Sequence, residues 1–163
     1  MQIGLDVVLF ILSVMGGRVI PMFTNNGVPG ATATRHPLVE KAALGSVLAL
    51  AAADVAGLRG LPLALLAAFA CVAHAARWSL WQPWKTGKVP LVWVLHLAYL
   101  WVPVHLVLRA LTEFGLVAAS AATHALTVGA VGGLIIGMVT RTARGHTARP
   151  LKADRYDTTC YLL

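Results

Sequence analysis

The stretch VPLVWVLHLAYLWVPVHLVLR, Val89 to Arg109, decides the fold. From Val89 to Leu108 it carries no Asp, Glu, Lys or Arg, and its apolar residues run all the way round a helix. A bilayer core is crossed by about 20 such residues at about 1.5 Å of rise each. Within a single segment, only a helix pairs every backbone N–H and C=O there without water. Two histidines, His96 and His105, sit inside the span, with Trp93, Tyr99 and Trp101 beside them. Ionisable side chains at that depth are costly to place and mark functional sites. Pro103 removes an intrahelical bond and crowds the carbonyl of Tyr99, so a bend is expected between the two histidines.

The composition agrees. Hydrophobic residues make up 58% of the 163-residue chain, charged residues 12%, and mean hydropathy is +0.76. That balance is far from a soluble domain and describes an all-α, polytopic transmembrane bundle. The length leaves room for about five crossings in one domain, residues 1–151, with a polar tail over 152–163. A formal charge of +7 would suit nucleic acid. The Lys and Arg residues, however, stand at the ends of apolar runs, which is membrane-surface anchoring, so nucleic acid is excluded as a partner. Cys71 and Cys160 form no C-x-x-C or C-x-x-C-H, which excludes a disulfide framework, a thiolate zinc site and covalent c-type haem. The first apolar run lacks a basic leader and contains Asp6, so it does not read as a cleaved signal.

The remaining spans follow in order. Span one is expected over 3–22, where Gly16-Gly17, Pro21 and Asn25-Asn26-Gly27 supply breakers. Spans two and three, 42–58 and 61–76, form a tight hairpin, and Lys41 and Arg77 are expected to snorkel to the surface. Trp78, Trp81 and Trp84 among Arg and Lys make an interfacial belt. Span four covers 89–108 and span five 116–139. Arg18, Arg35, Lys41, Arg77, Lys85, Lys88, Arg141, Arg144, Arg149, Lys152 and Arg155 then fall on one side, Arg59 and Arg109 on the other. The positive-inside rule puts the tail in the cytoplasm and Met1 outside. In span five, Gly129, Gly133 and Gly137 recur four apart and offer a helix–helix contact. Ser120, Thr123, His124 and Thr127 give the same span a polar flank.

Counted from the outer ends, His105, His124 and His96 lie roughly 5, 12 and 18 Å deep. His96 and His124 are therefore expected to face each other across spans four and five. Nine residues separate His96 from His105, which points them to opposite sides of a straight helix. Neutral imidazole ligates haem iron and copper, and bundle interiors host such sites. Each histidine alternatively bonds a neighbouring helix or a freed carbonyl such as that of Tyr99. His36, His74 and His146 read as interfacial residues. Arg18 and the tail arginines suit haem propionates or lipid headgroups, or simply fix topology. Met15, Met22 and Met138 read as filler more than as copper ligands. Asp6 and Asp54 line the outer water boundary, or relay protons. No nucleophile–base pair, phosphate-binding loop or carboxylate pair appears, so nothing marks the chain as an enzyme.

Three stretches, GGRVIPMFTNNG (16–27), WKTGKVPLVWVLHLAYLWVPVHLVLRAL (84–111) and THALTVGAVGGLIIGMVTRTARGHTARPL (123–151), together resemble the NnrS family of bacterial polytopic membrane proteins. The resemblance implies haem and copper as cofactors, nitric oxide or a related small ligand, and a role in nitrosative stress and denitrification. It implies residence in the bacterial inner membrane. Carried onto this sequence, it points to His96, His105 and His124 as metal ligands or their supports. His146 and Arg18 join them as cofactor-binding residues, with Asn25 and Asn26 in the first motif. Members of that family are longer, with more spans, and the polar ADRYDTTCYLL (153–163) stands where they would continue apolar. The chain thus reads as a truncated member with an aberrant end. The alternatives are a proton-coupled transporter or channel module using Asp6 and Asp54, or an inactive fragment.

Overall fold

The computed structural model describes residues 2–148 and 150–161. Met1 and Arg149, both part of the topology reading, lie outside them, as does the side chain of Arg155. Five rods make the bundle: α1 (Gln2–Gly27), α2 (Pro37–Val55), α3 (Leu61–Leu80), α4 (Pro90–Thr112), and a fifth built of three pieces. That fifth rod runs from α5 (Ala119–His124) through a π-helical segment (Ala125–Gly132) into α6 (Gly133–His146), and a short α7 (Arg155–Cys160) follows. No strand occurs among the described residues. Four rods are long and apolar enough to cross a membrane: α1, α3 with the turn after it, α4, and the fifth rod. The remaining one, α2, has 19 residues and carries Glu40, Lys41 and Asp54.

The stretch that is apolar all round becomes the most enclosed helix, as such a pattern requires. On α4, Leu91, Val92, Val94, Leu95, Ala98, Tyr99, Val102 and Leu106 are buried. It packs against α1, α3 and all three pieces of the fifth rod. The outer helices turn one face to lipid: α1 exposes Ile3, Val7, Ile11, Met15 and Met22, and α3 exposes Leu61, Leu65, Phe69 and Val72.

Span one continues to Gly27 instead of stopping near Met22, with Pro21 inside the helix. Its two glycines are contact points, not breakers. A Cβ on Gly16 would lie 2.9 Å from the Tyr99 ring, and one on Gly17 would strike the Arg77 guanidinium. Asn25, Asn26 and Gly27, also expected as breakers, form the last turn of α1 instead, whereas Gly57 and Gly60 in the turn between α2 and α3 both take φ of +71°. The glycine ridge of the fifth rod meets α4 within the same chain. Gly129 faces Trp101, a Cβ on Gly133 would lie 2.8 Å from that of Ala98, and one on Gly137 would lie 2.8 Å from Leu95 Cδ2. These partners lie along one face of α4, so two membrane helices touch backbone to side chain.

Candidate functional site

Two clusters of paired charges stand at the two ends of α2. At the end bearing the Lys and Arg residues, Arg77 of α3 is 1% exposed and does not snorkel. Its Nε and Nη2 donate to Glu40 at 2.8 and 2.5 Å, and its Nη1 donates to the Ser13 carbonyl at 2.7 Å. Gly17 leaves the space this guanidinium fills. At the opposite end, Arg109 of α4 donates to Asp6 at 2.8 Å and also pairs with Asp54, which Arg59 contacts from outside at 2.9 Å. Fourteen residues separate Glu40 from Asp54, about 21 Å of helix. Helix α2 therefore offers a carboxylate at each end, and each receives a guanidinium from a neighbour. A charge enters the bundle only with its counter-charge.

The same end holds a directed hydrogen-bond chain. Arg77 Nη1 donates to the Tyr99 oxygen at 3.1 Å, and the Tyr99 hydroxyl donates to His74 Nδ1 at 2.8 Å. His74 Nε2–H donates to the Ala43 carbonyl at 3.2 Å. A carbonyl only accepts, so the proton of this ring sits on Nε2. His74 is completely buried, not interfacial, and both its nitrogens are used. It is a structural histidine.

The other imidazoles sort by the same test. His96 Nε2 lies 2.8 Å from Thr24 Oγ1, whose hydroxyl also donates to the Ile20 carbonyl, and His96 Nδ1 is buried without a partner. His96 therefore turns toward α1 and the edge of Trp81, not toward the fifth rod. His105, 1% exposed, donates Nδ1–H to the Ala122 carbonyl at 2.7 Å and leaves Nε2 unpaired. His124 donates Nδ1–H to the Ser120 carbonyl at 2.7 Å, and its Nε2 has no partner among the described residues. Both rings thus share one tautomer, with the backbone of α5 holding Nδ1–H and a lone pair left on Nε2. That arrangement orients metal-ligating histidines in general. His36 and His146 are exposed, as is His124 itself.

Helix α5 separates the spaces these two rings face. On one side Ala119, Ala122 and Thr123 join His105, Arg109, Thr112, Asp54 and Arg59 around a polar cavity of about 240 Å³. On the other, Ala121, His124 and Ala125 join Leu97, Ala98, Trp101 and Val128 along an apolar groove of about 690 Å³. Cys160 and Tyr161 of the tail complete its wall. His96, His105 and His124 are therefore not gathered around one point. Among the described residues no group of three or more His, Cys, Asp or Glu is placed to hold a metal ion. Arg18 is exposed on α1 and lines neither space. Asn25 does local work, closing both amide bonds onto Ala33.

Sequence reasoning placed His74 at the interface and Arg77 at the surface, although both are buried, and did not single out Glu40. The signal available was the scarcity of acids: in so apolar a chain each carboxylate needs a partner, and Glu40 just before an apolar run called for a cation within reach.

The long apolar rods define a polytopic helical membrane protein. A family model described as NnrS protein matches residues 1–163. The chain belongs to the NnrS family. No curated protein and no solved structure matches it.

Proposed function

We propose that this chain is a haem-binding membrane protein of the nitric oxide and nitrosative stress response, with His124 as the imidazole that holds the haem. The observation that carries the reading is the His124 ring. The Ser120 carbonyl fixes its tautomer, and its Nε2 is left free on the wall of an apolar groove of about 690 Å³. Cofactor clefts run from about 300 to 1,000 Å³ and are lined mostly by apolar side chains with few placed polar groups. Haem needs one axial imidazole, so the residues present fit it. When bound, haem supplies an iron at which nitric oxide binds.

The chain's own part is to hold and shield. Ser120 keeps the His124 proton on Nδ1, Trp101 and Val128 wall the groove, and the bilayer-facing surface keeps water away. Copper does not fit in the same way. Its sites gather several N, S or O ligands, and no such cluster stands among the described residues, so no role is derived for it. The family's residence in the bacterial inner membrane, with the tail in the cytoplasm, completes the reading, and the one-sided Lys and Arg distribution supports it.

The test is haem titration of the purified chain in lipid nanodiscs. One equivalent is expected to give a Soret band that shifts when nitric oxide is added, and His124→Ala is expected to abolish it. A Soret band retained in full by His124→Ala removes His124 from the role.

A further inference from the structure

The tail folds back onto the groove. Asp154 caps α7 by accepting the Asp157 N–H at 2.8 Å, and Asp157 returns the contact to the Asp154 N–H at 3.1 Å. Arg144 of α6 then pairs with both carboxylates, at 2.9 Å to Asp154 and closely to Asp157. The Asp157 backbone N–H, with Arg144 beside it, holds the Asp154 carboxyl below its ordinary range. These bonds set the last turn of the tail against the bundle. There the Tyr161 ring stands edge-on to Trp93, centroids 5.9 Å apart, and Cys160 and Tyr161 line the groove beside Val94 and Ile136. The described residues between Arg144 and Asp154 are largely exposed, Leu151 at 50%, and Tyr156 on α7 is 78% exposed. Two of the ties that hold the segment to the bundle are thus one guanidinium, Arg144, and one aromatic edge, Tyr161 against Trp93.

We propose that residues 154–161 are a strap that closes one end of the groove, and that the Arg144 ion pairs set how readily the groove exchanges its occupant. The identity of the occupant rests on the haem reading; the strap does not. An ion pair near a membrane surface is weak and screened by salt. A tie of this kind opens far more easily than the helix packing around it, and it responds to charge near that surface. The strap also gives the polar tail a purpose: its acids are spaced to meet Arg144, and its tyrosine reaches Trp93 of α4.

The test uses the full chain with Cys71→Ser, so that Cys160 is the thiol followed, in nanodiscs. Arg144→Glu is expected to raise the rate of Cys160 alkylation by a water-soluble maleimide about tenfold. Adding Asp157→Arg alone to Arg144→Glu, which keeps the Asp154 cap on α7, is expected to restore the slow rate, because the pairing is reversed and not lost. An unchanged rate in Arg144→Glu overturns the strap. Groove access is read separately with Ala125→Cys on the groove wall, Cys71 and Cys160 being serine. Arg144→Glu is expected to speed its labelling by a membrane-soluble maleimide several-fold, and haem transfer to a soluble apoprotein by a similar factor. If Cys160 is freed while Ala125→Cys labelling stays constant, the segment is not a closure and the proposal fails. If the chain takes up no haem, the haem reading fails and the strap is still decided by the two labelling rates.

Discussion

Glu40 and Arg77 meet as a two-pronged ion pair between α2 and α3, and the guanidinium fills the space left by Gly17 of α1. Three helices thus converge on one charge pair, while Arg109, Asp6 and Asp54 do the same at the other end of α2. An apolar chain gains little from burying hydrophobic surface when lipid is the alternative, so such polar contacts and close packing specify which helices touch.

Breaking the pair on one side leaves an uncompensated buried charge. Glu40→Ala or Arg77→Ala is expected to destabilise the bundle by roughly 3–5 kcal/mol, whereas Glu40→Leu with Arg77→Met costs much less. Reversible unfolding in mixed micelles measures this. A double variant as unstable as the singles would show that the pair itself, and not the orphaned charge, matters most.

The hydrogen-bond chain gives a second outcome. Tyr99→Phe removes the group that accepts from Arg77 and donates to His74, both buried. A loss of about 1–3 kcal/mol is expected for leaving such groups unpaired. Haem binding should be untouched, because neither partner lines the groove. A changed Soret maximum in Tyr99→Phe would tie this cluster to the site.

Glycines are distinguishable by the space above them. Gly133→Leu pushes α6 off Ala98 and Gly17→Ala strikes Arg77, and overpacking of this sort costs about 1–3 kcal/mol. Gly4→Ala and Gly45→Ala meet nothing within 4 Å and are expected to be neutral or slightly stabilising. Thermal aggregation midpoints in one detergent would rank them.

Orientation is checked by side-selective labelling in intact cells. Arg59→Cys is expected to react with an impermeant maleimide from outside, and Lys88→Cys only after the membrane is opened. Labelling of both from the same side would contradict an odd number of crossings between them.

The rods were legible because length and all-round hydrophobicity are local properties, and Val89 to Leu108 needs no partner to be read as a span. The glycine spacing at 129, 133 and 137 likewise announced a close approach, though only the fold shows that its partner is α4. What hid from the sequence was direction. Depth counted along helices set His96 opposite His124, yet side chains answer to rotation as well, and His96 faces Thr24 of α1 while His124 faces the groove. Breaker chemistry also misled at Gly16, Gly17 and Pro21. A membrane helix passes such residues when neighbours fill the gaps they leave, and Tyr99 and Arg77 do so here. The ring orientation of His105 and His124 rests on carbonyls of α5 that no sequence pattern marks.

The most direct measurement is chemical rescue of the groove. Haem titration of His124→Gly in nanodiscs is expected to show weak binding without the native Soret band, and added free imidazole is expected to restore it. His96→Ala and His105→Ala should keep the native spectrum throughout. A native Soret band in His124→Gly without imidazole, or its loss in His105→Ala, would contradict the assignment of His124 as the imidazole that holds the haem.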